Sequence, residues 1–206
     1  MADSSTSGSK TGLIVGIVGG LVVLLLVAAV MFGSEEVGAE FGEPEINGTS
    51  LPLFPSSESF DLSATGLAAP ELFGQDYSGN DVSITNDGRA KGIAFLAHWC
   101  PHCQAEVPRV QQWLNSTGGI EGVDLYSVST AAGSGQPNYP ASAWFEREGW
   151  TIPVVVDDQA RSVHQAYGQG GFPYWVFLNA DGTVAARTAG ELTIDQLEDI
   201  LNALEQ

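Results

Sequence analysis

The stretch from His98 to Pro108, HWCPHCQAEVP, carries both cysteines of this 206-residue chain and two of its three histidines. Just before it, GIAFLA (Gly92 to Ala97) is a continuous apolar run, the pattern of a strand covered on both faces. After it, Val107, Val110 and Leu114 recur at helical spacing, which predicts a helix opening at the cysteines and running to about Leu114. A C-x-x-C at a helix start has a definite chemical use. Cys100 falls where unpaired backbone N–H groups and the positive end of the helix dipole stabilise a thiolate. Pro101 suits the first turn because it has no N–H to lose. His102 adds positive charge or a hydrogen bond, and Cys103, one turn on and deeper, resolves a mixed disulfide formed at Cys100. Stabilising the thiolate stabilises the reduced pair, so its disulfide becomes a better oxidant.

Outward from this centre the chain alternates strands and helices. PELFGQDYSGNDVSI (Pro70 to Ile84) reads as a hairpin with its turn at Ser78 to Asp81. VDLYSVS (Val123 to Ser129) and IPVVVD (Ile152 to Asp157) read as core strands, with helices at about Ala141 to Glu148 and Gln159 to Tyr167. YWVFLN and TVAART flank the turn NADG (Asn179 to Gly182) as a second hairpin. Thr193 caps a last amphipathic helix carrying Ile194, Leu197, Ile200, Leu201 and Leu204. The sum is an α/β chain with a mixed sheet between helices, without internal repeats. His164 shares a helical stripe with Ala160, Val163 and Tyr167, which suits a structural histidine.

The N-terminal part is of another kind. Leu13 to Phe32, LIVGIVGGLVVLLLVAAVMF, is twenty uncharged residues, the length of a membrane-crossing helix. Lys10 precedes it, Glu35 and Glu36 follow it, and no further basic residue occurs before Arg89. That distribution places the N-terminus in the cytoplasm and the remainder outside. Val37 to Ala39 has the small residues of a signal-peptidase site, but the run is longer than a signal core, so an uncleaved anchor is expected. Gly12, Gly16 and Gly20 form a small-residue face suited to pairing two such helices in a homodimer. The resulting division is a cytoplasmic tail (1–10), a transmembrane anchor (11–33), a flexible acidic linker (34–65) and a globular domain (66–206). Charge sharpens this. With 25 acidic against 7 basic residues, a net −18, the chain is a poor partner for nucleic acid or an anionic membrane face. Asn47 and Asn115 head N-x-[ST] triplets, a short pattern that by itself assigns nothing.

From about Leu67 to Gln206 the chain resembles the thioredoxin-fold proteins, and among them the membrane-anchored TlpA/ResA-type thiol–disulfide oxidoreductases. The resemblance rests on Trp99 before CPHC, AEVP after it, VVVDD, GGFPYW and VFLNADGTV. It implies a thioredoxin-like three-layer sandwich with a central mixed sheet, preceded here by the anchor and linker. It also implies that Glu106 shuttles protons for Cys103 and that Pro108 bends the active-site helix. Pro173 would be the cis-proline facing the disulfide, and Phe172, Pro173 and Trp99 the surface that receives an extended client. The expected partners are client proteins with thiols or disulfides, apocytochrome c among them, and a membrane redox protein that recycles the pair. No organic cofactor and no metal is required.

Two departures from the family leave the direction of electron flow open. Ala94 stands where thioredoxins carry a buried aspartate, and His102 gives the Cys-Pro-His-Cys of the DsbA-type oxidases, whose helical insertion this chain lacks. Two other chemistries compete. A thioredoxin-fold copper metallochaperone would use His98, Cys100, His102 and Cys103 as soft donors. A peroxiredoxin-like peroxidase wants a threonine where Ala97 stands. His98 is expected to tune the centre or to contact clients.

Overall fold

The computed structural model describes residues 40–55, 57 and 59–205. The expected tail, the anchor and its Gly12, Gly16 and Gly20 face lie outside these residues. No helix among the described residues is long and apolar enough to cross a membrane.

Among the described residues, nine strands and four helices follow in the order β1 (Glu45–Asn47), β2 (Phe60–Asp61), β3 (Glu71–Gln75), β4 (Asp81–Ile84), β5 (Ala90–Leu96), α1 (Pro101–Thr117), β6 (Val123–Ser129), α2 (Ala141–Arg147), β7 (Val154–Val156), α3 (Ser162–Ala166), β8 (Tyr174–Leu178), β9 (Val184–Ala189) and α4 (Ile194–Asn202). The main sheet has six strands in the order β2-β9-β8-β5-β6-β7, and β1-β3-β4 form a small second sheet. β5, β6 and β7 run parallel, whereas β8 lies antiparallel to β5, and β9 to β8. This is a thioredoxin-like α/β arrangement around a mixed sheet.

All seven residues of β5 are buried, as a central strand requires. Its side chains divide between two cores. Ala94 and Leu96 face one with α1 and α4, where Val107, Val110, Trp113, Leu197 and Leu201 pack on Trp175 and Phe177. Ile93 and Phe95 face the other, with Val163, Tyr167, Tyr174 and Val176. Alternation along β5 and β8 thus makes the layers. Gly92 lets α4 approach: a Cβ there would lie 2.8 Å from Leu125 Cδ2 and 3.2 Å from Leu201 Cδ2. α4 starts with a reciprocal cap, the Thr193 hydroxyl accepting from Gln196 N at 3.2 Å and Gln196 Oε1 from Thr193 N at 2.9 Å.

The flexible linker expected over 34–65 is corrected from residue 40 onward. Gly42 N donates to Asp157 O at 3.0 Å, and a Cβ on Gly42 would stand 2.2 Å from Val156 O, so the backbones touch. β1 pairs with β3, and Leu51 N and Phe54 N donate to Ala166 O and Gly168 O. Leu51, Phe54 and Ala64 are buried. Asp61, on β2, accepts from Arg187 Nε at 2.9 Å and Nη2 at 2.6 Å, and both side chains are buried. The composition of this segment cannot support a core of its own. The existing edges of both sheets supply one.

Candidate active site

β5 ends at Leu96, and Cys100 N closes a turn onto Ala97 O at 3.0 Å. Cys100 is the N-cap of α1, with extended φ −73° and ψ 121°, and Pro101 opens the first turn. Because the strand is parallel and central, this turn delivers the cysteines to the C-terminal edge of the sheet. Pro108 lies within α1, and Gly118, at φ 78°, ends it by donating to Leu114 O at 2.8 Å.

Both cysteines are free and both are buried, Cys103 completely and Cys100 to 6 % exposure. The Cys103 thiol donates to Cys100, and with the N–H groups of Cys103 and His102 and the charge of His102 it holds the Cys100 thiol down to about 5 against the opposing effect of burial. The same hydrogen bond, together with burial, drives the Cys103 thiol far up. One sulfur is therefore a thiolate and its neighbour a thiol across the neutral range. That asymmetry makes Cys100 the better nucleophile of the two.

Glu106 follows Cys103 by three residues on the same face of α1 and is 1 % exposed. Its Oε1 accepts from Leu192 N at 2.8 Å and its Oε2 from Trp175 Nε1 at 3.1 Å. Burial outweighs these two donors and pushes its carboxyl up to about 7. A group poised there can take or return a proton near neutrality.

The Phe172–Pro173 peptide is cis, and Cys100 Sγ lies 3.6 Å from Phe172 O. Trp99 stands edge-on to Phe172 at 6.0 Å between ring centroids, its indole N–H bound to Ala131 O at 2.8 Å. Cys100, Trp99, Phe172 and Pro173, drawn from two distant stretches, thus meet at one edge. His102 is exposed and its Nδ1 is 2.6 Å from Glu191 Oε1.

His98 differs from expectation. It is fully buried, its Nδ1 2.7 Å from Pro137 O and its Nε2 accepting from Gly133 N at 3.2 Å. Those contacts fix the Nδ1–H tautomer and spend both nitrogens on the loop between β6 and α2. His98 holds that loop and does not reach a client surface. The copper alternative fails with it, because His98 and His102 are turned to other partners. Among the described residues no group of three or more His, Cys, Asp or Glu is placed to hold a metal ion. His164 is buried, Nε2 2.8 Å from Gly170 O and its ring 4.7 Å from that of Phe172, so it braces the segment leading to the cis peptide.

Sequence reasoning missed Trp175, Leu192 and Glu191. No local pattern marks them, because each reaches the centre from more than 68 residues away along the chain, as the Trp175–Glu106 bond across 69 positions shows.

The Redoxin family profile matches residues 63–204, well over half of the chain. The chain belongs to the Redoxin family. Among its curated relatives, the thiol–disulfide oxidoreductase ResA of Geobacillus thermodenitrificans is 29% identical over 144 residues, covering 69% of this chain and 79% of the relative. The sporulation thiol–disulfide oxidoreductase A of Bacillus subtilis is 26% identical over 149 residues, covering 72% and 88%. Among solved structures, the thioredoxin domain of a thiol–disulfide oxidoreductase from Bacteroides vulgatus aligns with a TM-score of 0.51 at 26% identity, over 68% of this chain and 97% of that one. A DsbF homologue from Corynebacterium diphtheriae, at 17% identity, shares the fold with a TM-score of 0.60 over 76% and 100%. This Redoxin-family chain is a thiol–disulfide oxidoreductase, which accords with its paired, inequivalent cysteines.

Proposed function

We propose that this Redoxin-family protein is tethered to the cell membrane through residues 13–32 and donates its Cys100–Cys103 disulfide to exported client proteins. The observation that carries the direction is the surroundings of Cys100: the N-cap of α1, with the Cys103 thiol, two backbone N–H groups and the His102 charge all acting on its sulfur. Every one of these stabilises the thiolate, hence the reduced pair, and drives the disulfide to give itself away.

In that reaction a client thiolate, lying along Phe172 and Pro173, attacks Cys100 Sγ. A mixed disulfide forms and Cys103 leaves, taking a proton through Glu106. A second client thiolate then attacks the client sulfur of the mixed bond and releases Cys100 as the thiolate. The client loses two electrons and two protons and gains one disulfide. One proton ends on Cys103 and the other in solvent. A membrane redox protein reoxidises the pair, and apocytochrome c is one class of client that fits.

The test has two arms, both on the full-length protein in detergent. Cys103→Ser, whose Cys100 thiolate can still open a client disulfide by the reverse step but has no neighbouring thiol to release it, should accumulate mixed disulfides between Cys100 and clients, and failure to trap any removes the exchange reading. Equilibration with glutathione should place the couple toward the DsbA end, about −120 mV, and away from the thioredoxin end, about −270 mV. A value at the thioredoxin end reverses the direction to reductase.

A further inference from the structure

We propose that Glu191 is a positioning residue of the redox centre: it holds the His102 ring beside Cys100 and so sets the oxidising strength of the Cys100–Cys103 couple. The inference rests on the exchange reaction above and assigns a part to a residue outside the cysteine stretch.

Glu191 is placed by its neighbours rather than by its own side chain. Gly190, at φ 95°, donates its N–H to Pro173 O at 2.8 Å, which ties the turn after β9 to the cis-proline. Leu192 N donates to Glu106, and Leu192 O accepts from Arg109 Nη2 at 2.9 Å. Residue 191 is thereby pinned over α1 between two anchored neighbours. Its carboxylate spans that helix, Oε1 on His102 Nδ1 at 2.6 Å and Oε2 accepting from Arg109 Nη2 at 3.3 Å. From α4, Gln196 and Asp199 border the same groove, and the Glu191 charge adds to the rise of the Glu106 carboxyl.

The contact favours the imidazolium, and the His102 ring is held above its ordinary value chiefly by the Glu191 hydrogen bond. The imidazolium in turn favours the Cys100 thiolate. Oxidation of the pair by glutathione disulfide consumes that thiolate, the Cys103 thiol and one proton, and yields the protein disulfide and two glutathione thiols. Whatever stabilises the thiolate opposes this step.

Two physical accounts of Glu191 predict opposite signs. Acting only as a negative charge near Cys100, it would disfavour the thiolate, and removing it would make the protein a stronger oxidant. Acting through His102, its removal makes the protein a weaker one.

The experiment is glutathione equilibration of the full-length protein in detergent at pH 7, with Glu191→Gln, His102→Ala and the double variant. Glu191→Gln should lower the tendency of the disulfide to be reduced by about threefold, the size expected for one exposed pair. The same change in the His102→Ala background should produce no decrease. At alkaline pH, once the His102 ring is neutral in both proteins, the decrease should vanish. The His102 ring titration, followed by NMR, should fall in Glu191→Gln, and Glu191→Asp should lie between. An unchanged or stronger oxidant, or an equal decrease without His102, overturns the proposal. If the unsubstituted protein forms no glutathione-exchangeable disulfide, it is the exchange reaction itself that fails, before any variant is read.

Discussion

Glu106 accepts a hydrogen bond from the Trp175 indole at 3.1 Å, tying the buried acid of α1 to the strand that leaves the cis-proline. With Leu192 N as the second donor, both carboxylate oxygens are engaged, yet burial still raises the carboxyl from 4.5 to about 7. The acid is thus fixed in place and kept exchangeable with protons at neutral pH.

That environment predicts a pH-dependent stability. The Glu106 carboxyl ionises more readily in the unfolded chain than in the folded one. Its stabilising share is complete below pH 4.5 and is lost as pH rises through about 7. Between pH 5 and 8 the reduced protein should lose about 2 kcal/mol that Glu106→Gln does not lose. The mispaired amide costs the variant a constant amount, which cancels in the comparison of slopes. Denaturant unfolding across that range measures it, and parallel slopes would refute the assignment. On the proposed exchange reaction the variant should also pass its disulfide to clients more slowly, because the departing Cys103 sulfur has lost a nearby proton source.

Thiol reactivity separates the two cysteines. In the reduced protein, alkylation by iodoacetamide should have its midpoint near pH 5 and reach a plateau by pH 7, all at Cys100. Cys103 should remain unmodified to pH 9, since its hydrogen bond to Cys100 and its burial both oppose the thiolate. Mass spectrometry of the alkylated peptide assigns the site. His102→Ala should shift the midpoint upward, and a midpoint near 8.5 in the unsubstituted protein would contradict the arrangement of donors around Cys100.

The pairing of Asp61 with Arg187 tests whether residues 40–62 belong to the folded unit. Asp61→Asn leaves the Arg187 charge buried against a neutral partner and should cost about 3 kcal/mol. The loss appears as a lower Tm and as protease cleavage between residues 40 and 62. The midpoint of Cys100 alkylation should not move, because neither residue is among the groups acting on that sulfur. A variant as stable as its parent would return the segment to the status of a tether.

The division of labour between sequence and structure follows from the range of the forces involved. The C-x-x-C spacing, Pro101, the apolar run of β5 and the period of α1 are local, so the sequence alone determined a strand, a turn and a helix presenting two cysteines. The alternating elements determined the α/β class in the same way, and Thr193 its capping box. What depends on contacts across the chain was decided only by the tertiary structure. Residues 40–65 look too poor in apolar side chains to fold, and they lack a core until β3, β7, α3 and β9 offer open edges and the Arg187 guanidinium. His98, adjacent to the cysteines in sequence, is held instead against the loop after β6, where Pro137 O and Gly133 N take both ring nitrogens. Glu191 and Trp175, remote in sequence, reach the centre because antiparallel β8 and β9 return the chain to the edge where α1 begins. Hydrophobic period and turn chemistry are written residue by residue. Burial, and the proton affinities that burial sets, exist only once distant segments have met.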